Sequence, residues 1–274
     1  MSEVRANVTH QRYAQMVSWQ PISQASGNLI LAVDFNDSGR EEAGFADLAA
    51  LLNPRRTIWE TEQPPAGTDL STGKDYVAWW LADLLCQDSA IDAVLGYCVG
   101  SIFAAAIASE IASRQGRIPL LVLFDPEPPT RDSLLRDFDS AIEQLSPMLA
   151  DQERLRLHTA ARLALDSSPD FAAFCSVLVD SFSAGVSSAF EGLKVGPELT
   201  AKLTGSFSSF ISYVNAAYQL AVPEMWPNAT AIISRTPRDW VDLPSEQFRF
   251  DVDSADILRD AGAARAISGV LNPG

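Results

Sequence analysis

Three short apolar runs do most to limit the folds open to this chain. Residues 28–35 (NLILAVDF), 93–95 (AVL) and 118–124 (IPLLVLF) are apolar almost without a break. Strands read this way when both faces of a parallel sheet are covered. Turn residues and then helical spacing follow each of them, at 45–52, 102–114 and 131–145, and a fourth strand candidate at 56–60 (RTIWE) leads into an amphipathic helix at 74–86. Such alternation predicts an α/β fold with a mainly parallel central sheet. Between residue 130 and about 222 the pattern is helical only, with further helices expected at 151–165, 170–184 and 197–220. Strands return at 230–234 (TAIIS) and 247–252 (QFRFDV), and a last helix is expected over 255–270. We read residues 1–274 as a single domain with its core at 20–129 and 223–274. Residues 130–222 then form a helical lid inserted above the sheet's carboxyl edge, where open α/β sheets place their ligands.

Composition narrows the function classes. With 47% hydrophobic and 20% charged residues among 274, the chain is an ordinary globular protein, and disordered, collagen-like and coiled-coil readings fall away. The net charge of −15 argues against nucleic-acid and anionic-membrane partners. Residues 93–109 carry no charge, but this stretch is shorter than the roughly 20 apolar residues of a membrane span and is interrupted by Gly96 and Gly100. The start of the sequence lacks a basic segment followed by an apolar one, so no secretory signal is expected. Cys86, Cys98 and Cys175 are odd in number and widely spaced, which fits neither a disulfide framework nor a zinc site. Cys86 and Cys175 lie inside helical patterns and read as core residues. A cytoplasmic location is the expectation.

The turn after residues 93–95 reads Gly96-Tyr97-Cys98-Val99-Gly100-Ser101. Gly-x-nucleophile-x-Gly between a buried strand and a helix is the nucleophile elbow, in which flanking glycines allow a sharp, strained turn that lifts the middle side chain to a helix N-terminus. Here that side chain is a thiol. A small buried cysteine is the plainer alternative, but the strand–turn–helix setting favours the elbow.

With these residues in view, the chain resembles the thioesterases of nonribosomal-peptide and polyketide assembly lines, α/β-hydrolases with a helical lid. The segment LILAVDFNDSGREEAGFADLAALL is similar to their first conserved strand and oxyanion loop, although the usual Phe-Pro is Asp34-Phe35 here. Residues 96–100 match their elbow, with Cys98 where most carry serine. LLVLFDPEPP matches the strand that ends in the family's catalytic Asp, which falls on Asp125, twenty-seven residues after Cys98. Most α/β-hydrolases place the acid after the next strand, where Asp239 and Asp242 are the alternatives. The resemblance also implies an oxyanion hole made by the backbone N–H of Val99 with one from Phe35 or Asn36.

One departure matters more than these matches. The family's histidine lies just before the last helix, and alignment on Ile257-Leu258 puts Ser254 in its place. The sequence has two histidines, His10 and His158. His158, in the helical block, is the possible substitute base, and a helix-surface role is the plainer reading of it. His10 is peripheral.

A serine without its base is nearly inert, but a thiol has an ordinary pKa of about 8.5 and a helix N-terminus favours its thiolate. Acylation of Cys98 by a thioester exchanges one thioester for another. Deacylation by water needs a general base, worth about 10²–10⁴-fold, whereas a second thiol is a far better nucleophile at neutral pH. The resemblance thus narrows to the stand-alone, cysteine-dependent aminoacyl- or acyltransferase shuttles of natural-product biosynthesis. They imply an acyl-S-Cys98 intermediate, no tightly bound cofactor or metal, a carrier protein or carrier domain as partner, and its phosphopantetheine as the substrate arm. Two alternatives remain open: a type II editing thioesterase that hydrolyses carrier-bound acyl groups, and a catalytically inactive carrier-binding partner. Since carrier proteins are usually acidic, a local basic patch is a candidate docking face. Arg131, Arg136, Arg154, Arg156 and Arg162 could supply it, with a solvated helix face as the plainer reading.

Overall fold

Among the residues described in this computed structural model (17–36, 42–65, 68, 70–84, 90–191, 196–220, 224–235 and 244–272), seven strands form one sheet. The strands are β1 (Trp19–Ser23), β2 (Leu29–Val33), β3 (Thr57–Thr61), β4 (Ile91–Tyr97), β5 (Leu120–Phe124), β6 (Thr230–Ile233) and β7 (Glu246–Arg249). Their spatial order is β1-β3-β2-β4-β5-β6-β7, with β1 antiparallel to β3 and every other neighbouring pair parallel. The helices are α1 (Phe45–Leu51), α2 (Gly73–Leu84), α3 (Gly100–Gln115), α4 (Arg131–Gln144), α5 (Asp151–Ser167), α6 (Phe171–Phe190), α7 (Pro197–Gln219) and α8 (Ala261–Val270).

The apolar runs become central strands because both faces are covered. On one face Ile30, Ala32, Ala93, Leu95, Val122, Phe124 and Ile232 form a core with Phe45 and Leu48 of α1 and Ala263 and Ile267 of α8. On the other, α3 packs on β2, β4 and β5, and α2 lies against α3. There Phe103 meets Tyr76 and Trp80 at ring-centroid distances of 5.7 and 5.1 Å. The fold is an α/β fold with a mainly parallel sheet, as the sequence predicts.

By its contacts the chain divides into two units, residues 1–128 with 220–274, and residues 129–219. The second is all helical. Its core is aromatic: Phe207 of α7 stacks on Phe182 of α6 at 4.1 Å and meets the edge of Phe138 of α4 at 6.2 Å. By length and hydropathy α6 is the one described helix that could cross a membrane. It buries Phe174, Leu178, Phe182 and Val186 within this unit and carries an exposed Asp180. A core helix of a helical bundle has this pattern.

The helix expected over 170–184 runs on to Phe190 and the strand expected at 93–95 spans Ile91–Tyr97, and three further elements differ from the sequence expectations. No strand is predicted at residues 19–23, yet β1 is an edge strand that accommodates Pro21 and anchors through Trp19, whose indole N–H donates to the Trp80 carbonyl at 2.8 Å. The strand expected at 247–252 starts one residue earlier and ends at Arg249. The single helix expected over 255–270 is a 3-10 segment, Ser254–Arg259, followed by α8. Asp260 separates them, because its carboxylate accepts the Ala263 N–H at 2.8 Å and caps α8 from an extended backbone.

The backbone passes very close to Gly96. A Cβ there would stand 2.7 Å from both the Ala104 Cβ and the Ser101 Cα. Since a backbone atom cannot step aside, Gly96→Ala is expected to cost about 3 kcal/mol, the upper part of the overpacking range. Urea denaturation of the two proteins, compared at their midpoints, checks this.

Candidate active site

Cys98 follows β4 directly and is left-handed, with φ at 50°. A side chain with a β-carbon adopts this conformation at a cost of order 1–3 kcal/mol, so surrounding bonds must impose it. They are present: the Cys98 N–H donates to the Phe124 carbonyl at 2.9 Å, and its own carbonyl accepts the Ser101 N–H at 3.1 Å. Val99, the N-cap residue of α3, comes next, and its N–H is among the amides a helix start leaves without an intrahelical acceptor. This strand–turn–helix is the elbow the sequence predicts, with the half-buried thiol at its apex.

Asp125 follows β5 in the same way. It too is left-handed, with φ at 40°, and its N–H donates to the Ile232 carbonyl at 2.9 Å. Its buried carboxylate is held from two sides: Oδ1 accepts the Ser234 N–H at 2.8 Å, and Oδ2 accepts the Ser254 hydroxyl at 2.6 Å. Ser254 stands at the start of the 3-10 segment and contacts the carboxylate directly. The Tyr97 hydroxyl donates to the Ser254 carbonyl at 3.1 Å. Burial pushes the Tyr97 phenol far above its usual range, assisted by the charges of Cys98, Glu42 and Asp34.

The sequence reading missed Glu127. Its carboxylate Oε2 lies 3.9 Å from the Cys98 Sγ, and its N–H donates to the Cys98 carbonyl at 3.3 Å. The only sequence signal was its place in Asp125-Pro126-Glu127-Pro128, where a proline on either side restricts the backbone.

The expected oxyanion segment follows β2. Val33 pairs with Gly96, which brings residues 34–36 level with the elbow. The Thr61 hydroxyl donates to the Asp34 carbonyl at 3.0 Å, and the Asn36 amide donates to the Glu60 carboxylate at 3.1 Å. Phe35 is half-buried and Asn36 exposed, and the next loop residues, 37–41, lie outside the described residues, as do His10, Cys86, Asp239 and Asp242.

His158 lies in the helical unit, with its Nδ1 2.5 Å from Asp139 and its Nε2 3.2 Å from Glu143. The arginines offered as a docking face are also engaged there. Arg131 donates to the Leu165 and Ser168 carbonyls, Arg154 pairs with Glu143 and Asp151, Arg156 with Glu153, and Arg162 lies 3.8 Å from Asp139. Arg154, Arg156 and Arg162 thus each lie against a carboxylate, while the carbonyls that Arg131 meets are neutral. Among the described residues no group of three or more His, Cys, Asp or Glu side chains is placed to hold a metal ion. Cys175 is buried in α6, and burial pushes its thiol up to about 12.

Sheet order, elbow and the acid after β5 define an α/β-hydrolase fold. No family model matches the chain, and no curated protein matches its sequence. Solved structures do match in fold. The Vlm2 thioesterase domain with a bound dodecadepsipeptide is 15% identical, covering 96% of this chain and 98% of its own, with a TM-score of 0.50. The NocB thioesterase domain, in covalent complex with a fluorophosphonate nocardicin G analogue, is 15% identical over 93% of this chain and 99% of its own, with a TM-score of 0.51. A four-domain nonribosomal peptide synthetase bound to AMP and glycine is 14% identical, covering 98% of this chain and 21% of its own, with a TM-score of 0.53. The chain has the fold of the Vlm2 and NocB thioesterase domains.

Ser254→His would place an imidazole beside Asp125. We expect it to raise hydrolysis of a simple acyl thioester at least about tenfold, a fraction of what a well-placed general base supplies. Free-thiol release in buffer measures this, and an unchanged rate in a folded variant would overturn the assignment of position 254.

Proposed function

We propose that this protein is an enzyme of thioesterase type that moves an acyl or aminoacyl group between thiols. Cys98 attacks a carrier-bound phosphopantetheine thioester, holds the group as acyl-S-Cys98, and passes it to a second thiol. The observation that carries this reading is the 2.6 Å contact of the Ser254 hydroxyl with Asp125, beside an elbow thiol. Among the described residues no imidazole meets Asp125, and the Ser254 hydroxyl occupies the carboxylate oxygen that would hold one. Water needs such a base to attack, whereas an incoming thiol does not depend on it to the same degree. The Val99 N–H and an amide of residues 35–36 would hold the tetrahedral oxyanion. The matching folds include two thioesterase domains and part of a nonribosomal peptide synthetase, which supports a carrier as donor and natural-product biosynthesis as setting.

Intact-mass measurement after mixing with an acyl- or aminoacyl-loaded carrier should show an added group that Cys98→Ala abolishes. A second carrier with a free phosphopantetheine should remove that group at least about tenfold faster than buffer does. Equal rates would make the protein an editing hydrolase. Measurable carrier binding with no adduct would make it an inactive partner.

A further inference from the structure

The thiol proton of Cys98 needs an acceptor during thiol exchange, and the structure places the Glu127 carboxylate within 3.9 Å of the reacting sulfur. We infer that Glu127 is a catalytic residue that carries this proton through both halves of the thiol exchange, an inference that rests on the transfer reading above. Two contacts fix Glu127 to the nucleophile: its carboxylate lies 3.9 Å from Sγ, and its backbone N–H donates to the Cys98 carbonyl. Asp125 is already engaged by Ser234 and Ser254.

The exchange then balances. As Sγ bonds to the acyl carbon, its proton passes to Glu127. As the bond from that carbon to the carrier sulfur breaks, Glu127 returns the proton to the departing sulfur, which leaves as a thiol. In the second half the incoming thiol gives its proton to Glu127 and attacks the acyl carbon. The Sγ–carbon bond breaks, and the proton returns to Cys98.

A carboxylate of ordinary pKa is a weaker base than imidazole by about two units. It accepts a proton from a thiol, of pKa about 8.5, far more readily than from water at 15.7. Proton transfer to a carboxylate such as Glu127 is therefore far less uphill from a thiol acceptor than from water.

The same carboxylate acts on the resting thiol in the opposite sense, because its negative charge disfavours a neighbouring thiolate. Among the described residues, the further charged groups at this end of the sheet include Asp34, Glu42, Glu60 and Asp125 and the ion pairs of Arg235 with Asp251 and Asp253, and the raised Tyr97 phenol stays protonated in any neutral assay.

These two effects give Glu127→Gln opposite consequences in two assays. Iodoacetamide labelling of Cys98, followed by peptide mass against pH, should have its midpoint lowered by about one to three units, so labelling at pH 7 becomes faster. Acylation of Cys98 by an acyl-N-acetylcysteamine thioester at pH 7 should become about 10²-fold slower. Cys175, with its thiol near 12, is the unreactive internal reference. Glu127→Asp keeps the charge and should retain a midpoint near the parent's, with acylation between parent and Gln variant. If Glu127→Gln speeds both reactions, the carboxylate only repels the thiolate and the inference fails. It fails equally if both rates are unchanged, or if both fall. The small thioester needs no carrier. A carrier that leaves no adduct while these two assays behave as expected therefore overturns the carrier reading and spares Glu127.

Discussion

The hydrogen bonds at the Cys98 backbone organise everything at this end of the sheet. The N–H extends the β4–β5 ladder by one rung onto Phe124, while the carbonyl receives Ser101 from the first turn of α3 and Glu127 from the segment after β5. One left-handed residue thus joins a strand, a helix start and an adjacent loop. The close packing of Gly96 on Ser101 and Ala104 makes that turn tight enough to be held. The thiol and its neighbouring carboxylate are both placed by this single residue.

Asp125 also holds this end of the sheet together. Two charge-assisted bonds, from Ser234 after β6 and Ser254 before α8, surround a carboxylate that is almost wholly buried. Each such bond is worth about 1.5–3 kcal/mol, and an unpaired buried carboxylate would be costlier still. Tyr97 adds a third strand end by donating to the Ser254 carbonyl. The acid pins three strand ends and the 3-10 segment together.

Much of this was legible in the sequence. Continuous apolar runs gave β2, β4 and β5 because burial on both faces leaves no room for polar alternation. The glycines around Cys98 gave the elbow because the turn cannot be made otherwise. Alignment on Ile257-Leu258 put Ser254 opposite Asp125, where the structure has it in direct contact. β1 was not legible, since WQPIS is an edge strand without an apolar run and its identity depends on pairing with β3. The break at Asp260 was hidden because apolar spacing continues across it, and only the cap bond to Ala263 reveals it. Glu127 was hidden for a deeper reason. Its meaning lies in a distance to Cys98 across neighbouring strand ends, and its own neighbours in the chain say only that the backbone is stiff.

Two non-glycine residues have positive φ among those described, and they are Cys98 and Asp125. Glycine would adopt either conformation without strain. At position 98 such a replacement would relieve the backbone and sacrifice only a half-buried side chain. At Cys98 the strained conformation holds a β-carbon and its sulfur at the apex of the turn, and at Asp125 it holds a buried carboxyl group between two hydrogen bonds.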